Sequence, residues 1–175
     1  MDQNNVTILD ACRYDLFESV LKDHKLPGQL MKRQSIGSAT PEFLKKNFMG
    51  GELHDTVYIT ANPYVNTKLP PDTFHEIIPV WKIQWNEELQ TVTPEAMLEY
   101  AQKAAHQYPN ERLIIHCNQP HVPFIGDIRL DGRKASAIRQ EALGEERLDP
   151  AERSRLRSTS SRRANGRMRK FSKPT

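Results

Sequence analysis

A short apolar run, Val6-Thr7-Ile8-Leu9, leads directly into the polar stretch Asp10-Ala11-Cys12-Arg13-Tyr14-Asp15. Beyond it, apolar residues recur at helical spacing from position 16 to position 21. The pattern predicts a buried strand, a loop and a helix. It also places Asp10 at the carboxyl end of the first strand.

Strand and helix patterns alternate along the rest of the chain. Further strands are predicted over residues 29–36, 56–60, 74–81 (broken by Pro79) and 112–117. Helices are predicted to begin at Thr40-Pro41-Glu42, at Thr93-Pro94-Glu95 and near Ala135. This alternation is typical of an α/β fold, a mostly parallel sheet flanked by helices. Such sheets bind ligands beyond the carboxyl ends of their strands, which is where the polar clusters of this sequence fall.

Charge divides the 175 residues into two unlike parts, although the formal net charge is only +3. Residues 1–128 carry eleven Lys/Arg against sixteen Asp/Glu, whereas residues 151–175 carry nine Lys/Arg and one acid. The second segment also has almost no large apolar residues. We therefore expect a partial α/β domain over 1–128, a helical extension over 129–150, and a disordered basic tail over 151–175.

Cysteine usage and the N-terminal sequence bear on the compartment. Cys12 and Cys117 lie in different segments and do not make a disulfide framework. We find no N-terminal apolar run that would serve as a signal peptide or a membrane span. These features predict a cytoplasmic protein with reduced thiols and no membrane partner.

Asp10 and Arg13 are the first candidates for chemistry. A carboxylate at the end of a strand can hold a divalent cation against the edge of the sheet. Asp10 could equally be the N-cap of the following helix. Arg13 is a candidate for binding an anionic substrate, and an ordinary salt bridge is the competing interpretation.

Thr40 and His121 are the next candidates. The Thr40 hydroxyl follows small residues at a predicted helix N-terminus, where the helix dipole attracts anions, so it is a candidate nucleophile. A plain capping role is the alternative, and Ser38 competes for either role. His121 lies between Pro120 and Pro123, in a loop that could direct its imidazole at a leaving group, although a structural role remains open. His116 is expected to be a buried, hydrogen-bonded residue rather than a ligand.

Four ordered motifs resemble those of sulfatase-like members of the alkaline phosphatase superfamily. They are Ile8-Leu9-Asp10-Ala11-Cys12-Arg13-Tyr14-Asp15, Gly37-Ser38-Ala39-Thr40-Pro41-Glu42, Thr60-Ala61-Asn62-Pro63 and Gln119-Pro120-His121-Val122-Pro123-Phe124-Ile125-Gly126. The resemblance covers residues 5 to 128. It implies metal-dependent hydrolysis of phosphate or sulfate esters, with Asp10 as a ligand of a divalent metal. It further implies that Thr40 is both metal ligand and nucleophile, and that His121 is a substrate-side histidine.

Two departures from the family pattern limit what the resemblance implies. Cys12 lacks the Cys-x-Pro-x-Arg context, which argues against a sulfatase of the formylglycine type. The family also completes its metal site with a later Asp-His or Asp-Asn pair, and nothing after Gly126 resembles that pair. The resemblance therefore predicts a chain that is inactive alone, whose missing metal ligands a complementing C-terminal chain would supply. On this interpretation the tail is the product of a frameshift or a truncated gene, and a natural basic tail is the alternative.

A function of a different class remains open at this point. The chain could be a non-catalytic α/β module whose basic tail binds nucleic acid or another polyanion through counterion release. Phe171 is the one aromatic residue of the tail, so base stacking has little support and nucleic acid is the less favoured partner.

Overall fold

The computed structural model describes residues 5–24, 26–126 and 133–146, with side chains of the last segment described over 136–144. Within these ranges the strands are β1 (Val6–Leu9), β2 (Leu53–Thr60), β3 (Phe74–Pro79) and β4 (Arg112–Cys117). The helices are α1 (Tyr14–Leu21), α2 (Thr40–Phe48), α3 (Tyr64–Lys68), α4 (Val80–Ile83), α5 (Pro94–Gln107) and α6 (Arg133–Glu146).

The four strands form one parallel sheet in the order β1-β4-β2-β3. Helices flank this sheet, so the predicted α/β fold class is confirmed. His116 of β4 pairs with Ile8 of β1 on one side and with Thr60 of β2 on the other. The carboxyl ends of these three strands are therefore level, and the residues that follow them meet at one edge of the sheet.

Two apolar cores lie on the two faces of the sheet. Side chains alternate between the faces of a strand, so Val57 and Ile59 of β2 point to one core and Tyr58 points to the other. The first core is closed mainly by α4 and α5 through Trp81, Met97 and Ala104. The second core contains residues of α2, α3 and β3: Leu44, Val65, Leu69 and Phe74. Burial of these side chains anchors the strand ends that carry the polar residues described below.

The first strand and the first helix lie at the periphery. β1 is an edge strand of the described sheet, and Val6 and Leu9 are exposed. α1 has an apolar side but no buried residue, with Leu16 and Val20 each close to half exposed. No helix of the described residues is long and apolar enough to cross a membrane.

The structure corrects one predicted strand and adjusts other boundaries. Residues 29–36 form no strand; they run irregularly and every one of them is exposed. Alternation alone cannot make a strand, since a strand also needs a neighbour for its backbone hydrogen bonds. The extended segment predicted over 74–81 ends at Pro79 and continues as α4. The helix predicted to begin near Ala135 corresponds to α6, whereas the predicted tail over 151–175 lies outside the described residues.

Candidate functional site

A cavity of about 630 Å³ opens at the carboxyl end of the sheet. Its polar lining comes from the ends of three strands and from the start of α2. The lining side chains with polar groups are Asp10 and Cys12 after β1, Ser35 and Ser38 before α2, Thr40, Asn62 and Tyr64 after β2, Trp85, His116 of β4, and Asn118 and His121 after β4. The structure thus brings Asp10, Thr40 and His121 to one cavity.

Asp10 and Thr40 are in direct contact. The Thr40 hydroxyl donates a hydrogen bond to Asp10 Oδ2 at 3.1 Å, although the two residues are 30 positions apart. The backbone N–H of Asp10 is bound by the carbonyl of Cys117, which fixes Asp10 to the end of β4. Ala11 then turns the chain with a φ of 58°, a left-handed conformation that is uncommon for a residue with a Cβ. A strained turn and a strand end together hold the carboxylate over the cavity.

Neither residue caps a helix. The N-cap of α1 is Arg13, and no side chain makes a capping bond there. The N-cap of α2 is Ala39, so the prediction of Thr40 as an N-cap was wrong, and Thr40 is the first helical residue. Its hydroxyl binds Asp10 instead of a backbone N–H of the helix. The capping alternative is therefore removed for both candidates.

Ser38 and Glu42 are hydrogen-bonded to each other at the start of α2. The Glu42 carboxylate accepts hydrogen bonds from the Ser38 backbone N–H at 2.8 Å and from the Ser38 hydroxyl at 2.7 Å. A salt bridge and hydrogen bond from Lys46, followed by the two Ser38 donors, lower the pKa of Glu42 to about 2. The Ser38 hydroxyl is thus engaged with Glu42, which leaves Thr40 as the hydroxyl that faces Asp10.

Asn62 lies in the site although no role was predicted for it. Its side chain is buried, its Nδ2 donates to Asp10 Oδ2 at 3.3 Å, and its Oδ1 accepts from the backbone N–H of Tyr64 at 3.0 Å. Because Oδ1 is held by a backbone donor, the amide group presents Nδ2 to the carboxylate. A polar residue directly after a buried strand, in the run Thr60-Ala61-Asn62-Pro63, was the available signal.

His116 is buried in the sheet, as predicted. Its side chain is 1% exposed, and its Nδ1 lies 2.9 Å from the Tyr58 hydroxyl. Burial disfavours the charged imidazolium and lowers the pKa of His116 to about 4, against an opposing effect of the Asp10 charge. The imidazole is consequently neutral at physiological pH while it lines the cavity.

His121 and Arg13 are placed differently from each other. His121 lies at the cavity rim, where its backbone N–H contacts the carbonyls of Asp10 and Asn118, and its exposed ring contacts the carbonyl of Val122 through Nδ1. Arg13 is not among the described residues that line the cavity. Its guanidinium is 78% exposed and forms a salt bridge with Asp15 at 2.6 Å. The competing interpretation of Arg13, an ordinary ion pair, is the arrangement observed.

The oxygen atoms of the cavity are of the type that a hard cation binds, but the described residues supply too few of them. The described lining residues include the Asp10 carboxylate and no Lys or Arg. Carboxylate and hydroxyl oxygens are ligands that hard divalent cations accept. Yet the described residues contain no group of three His, Cys, Asp or Glu side chains that could hold a metal ion. A complete coordination sphere would need ligands from outside the described part of the chain.

No family model, curated protein or solved structure matches this chain. Membership of the sulfatase-like family therefore remains a prediction that rests on the ordered motifs.

Proposed function

We propose that this chain forms part of a metal-dependent ester hydrolase site, in which Asp10 and Thr40 contribute to holding a divalent cation. The substrates are phosphate or sulfate esters, and the site is proposed to need further metal ligands from outside the described residues before it is active. The observation that carries the proposal is the 3.1 Å hydrogen bond between Thr40 Oγ1 and Asp10 Oδ2 in the cavity. A complementing C-terminal chain is the proposed source of the remaining ligands.

Electrostatics supports a requirement for a cation. A phosphate or sulfate ester is an anion, and the described lining offers it one carboxylate and no Lys or Arg. The anion would therefore be repelled unless a positive charge lay between it and Asp10. A divalent cation would supply that charge and would lower the pKa of a hydroxyl bound to it.

Thr40 has the position that a nucleophile needs. It begins α2, so the positive end of the helix dipole faces an anion placed at its hydroxyl. Asp10 accepts the hydroxyl hydrogen bond and can orient Oγ1 or take its proton as Oγ1 attacks phosphorus or sulfur. The bond from that atom to the alcohol oxygen of the ester breaks, the departing alkoxide takes a proton from water, and a second water hydrolyses the ester formed on Thr40. His121, on the rim, is proposed to face the substrate, and Arg13 could reach an anion only after leaving Asp15.

A metal-binding experiment tests the proposal. We expect the full chain to bind Mn²⁺ only weakly without the missing ligands, and Asp10→Asn to weaken that binding by about a further 10-fold, because it removes the one carboxylate among the described lining residues. Asp23→Asn, an exposed acid that does not line the cavity, is the matched control and should bind Mn²⁺ like the parent protein. Binding is measured by electron paramagnetic resonance of free Mn²⁺. Equal affinities of the two variants would overturn the assignment of Asp10.

We also propose a cytoplasmic location. The support is that Cys12 and Cys117 are free thiols, as expected in a reducing compartment.

A further inference from the structure

His116 presents one ring nitrogen that the described fold does not use. Nδ1 is occupied by the Tyr58 hydroxyl, but Nε2 has no hydrogen-bond partner among the described residues. Among the described residues, two fully buried side-chain polar atoms lack a hydrogen-bond partner: Trp85 Nε1 and Gln119 Oε1. His116 Nε2 is not one of these sealed atoms. His116 is one of the residues that line the cavity, so Nε2 is the ring nitrogen that its described contacts leave for a ligand there.

Tyr58 determines which ring nitrogen carries the proton. Burial, together with the Asp10 charge, raises the pKa of the Tyr58 hydroxyl, so this hydroxyl keeps its proton. His116 Nδ1 is the only acceptor described for that proton. The hydroxyl therefore donates to Nδ1, and a neutral imidazole that accepts at Nδ1 carries its own hydrogen on Nε2.

We propose that the Nε2–H of His116 donates a hydrogen bond to an oxygen of the anion that the cavity binds, and that Tyr58 is a positioning residue for this donor. The inference deepens the proposed function and rests on it in assigning an oxyanion to the same cavity. A neutral donor fits this place because it can bind an anion oxygen without forming a permanent ion pair with Asp10. It is also rigid, since β4 is paired on both sides at His116.

The probe is inorganic phosphate, titrated into the full ¹⁵N-labelled chain with and without Mg²⁺ and followed by long-range ¹H–¹⁵N spectra of the histidine rings. We expect free protein to show His116 as the Nε2–H tautomer, and phosphate to shift that nitrogen. Tyr58→Phe should mix the two tautomers and weaken phosphate binding. His106→Gln, an exposed histidine on α5, should leave the titration unchanged.

Two substitutions of His116 separate donation from packing. His116→Gln keeps an N–H near the position of Nε2, and we expect phosphate affinity within about 3-fold of the parent. His116→Met is of similar length without a donor, and we expect affinity to fall about 10-fold or more. If either variant fails to fold, the tautomer and the phosphate-induced shift in the parent protein decide the question.

Each outcome bears on one proposal or the other. Phosphate binding that depends on His116 but not on Mg²⁺ would support this donor and overturn the cation-dependent function. Mg²⁺ and phosphate binding with equal affinities for His116→Met and the parent would overturn the donor and leave the function standing. An Nε2 without a hydrogen, or no phosphate binding at all, would also overturn the donor.

Discussion

At the scale of single residues, the site depends on how Asp10 is held. Thr40 and Asn62 both donate to the same oxygen, Oδ2, at 3.1 and 3.3 Å. Among the described residues Oδ1 accepts no side-chain hydrogen bond, so it is the carboxylate atom left to meet a ligand. Residues that orient a ligand in this way commonly affect metal affinity nearly as much as the ligand itself.

Asn62→Ala tests this support. We expect the variant to bind Mn²⁺ about 10-fold more weakly, since Asp10 loses one of its two orienting donors. The free energy of unfolding should also fall by about 1–3 kcal/mol, because the Tyr64 backbone N–H loses its acceptor. Asn47→Ala removes an exposed amide whose hydrogen bond, among the described residues, lies within its own helix, and it serves as control. Titration with Mn²⁺ and urea unfolding measure the two effects, and equal behaviour of both variants would contradict this role for Asn62.

At the scale of elements, two identical triplets begin two helices differently. Thr93 of Thr93-Pro94-Glu95 is an N-cap whose hydroxyl accepts from the Ala96 backbone N–H, as the sequence predicts. Thr40 of Thr40-Pro41-Glu42 lies one position further into its helix, and its hydroxyl donates to Asp10. Local sequence could place both helices but could not reveal a carboxylate 30 residues away. The same limit explains why residues 29–36, whose pattern alternates, were wrongly predicted to form a strand.

The hydrogen bonds that Ser38 donates to Glu42 at the start of α2 lead to a prediction about how stability depends on pH. The pKa of Glu42 is about 2 in the folded chain, below its ordinary value of 4.5, so the unfolded chain takes up this proton first as pH falls. The stability that Glu42 contributes is therefore present above pH 4.5 and is lost as pH falls toward 2. Glu42→Gln should flatten the stability profile in this window in urea unfolding experiments. Glu95→Gln controls for the loss of one acid near a helix start, and a profile with the same slope in both variants would refute the prediction.

Gly37 fixes the approach of the preceding loop to α2. A Cβ at this position would lie 2.5 Å from the backbone nitrogen of Phe43 and 2.6 Å from its Cα, both backbone atoms that cannot turn aside. We expect Gly37→Ala to displace the loop and lower the free energy of unfolding by about 1–3 kcal/mol. Gly126→Ala, where a Cβ would meet nothing within 4 Å, is the control. Thermal unfolding of the two variants measures the difference. Equal melting temperatures would show that the loop accommodates the Cβ with no loss of stability.

At the scale of the whole molecule, stability is unevenly distributed. β2 and β4 are paired on both sides and bury five of eight and three of six residues, whereas α1 buries none. We expect backbone amides of α1 to exchange with deuterium much faster than those of β2 and α5, because local opening of α1 exposes little apolar surface. Hydrogen exchange followed by mass spectrometry measures this, and similar protection of α1 and α5 would contradict it.

Sequence was enough to predict the α/β class and the edge of the sheet at which the candidate site lies. Buried strands appear in the sequence as apolar runs, and polar residues follow these runs at their carboxyl ends. The strand order could not be predicted from sequence, since apolar runs such as those of β2 and β4 do not indicate which strands pair with them. The roles of Asn62 and of His116 Nε2 also needed coordinates, because both depend on which side chains meet across strands.

The placement of β1 at the edge, beside β4, has a consequence for synthesis. The Asn5 side chain accepts a hydrogen bond from the backbone of Leu113, 108 positions later. A chain leaving the ribosome therefore carries its first strand without the neighbour it needs until β4 has emerged, long after β2 and β3 can pair. Asp10 can reach its place only then, so the cavity is completed together with the β1–β4 half of the sheet. A nascent chain halted before residue 112 would hold only the β2–β3 half of the sheet, and Asp10 would not yet lie beside Thr40 and Asn62.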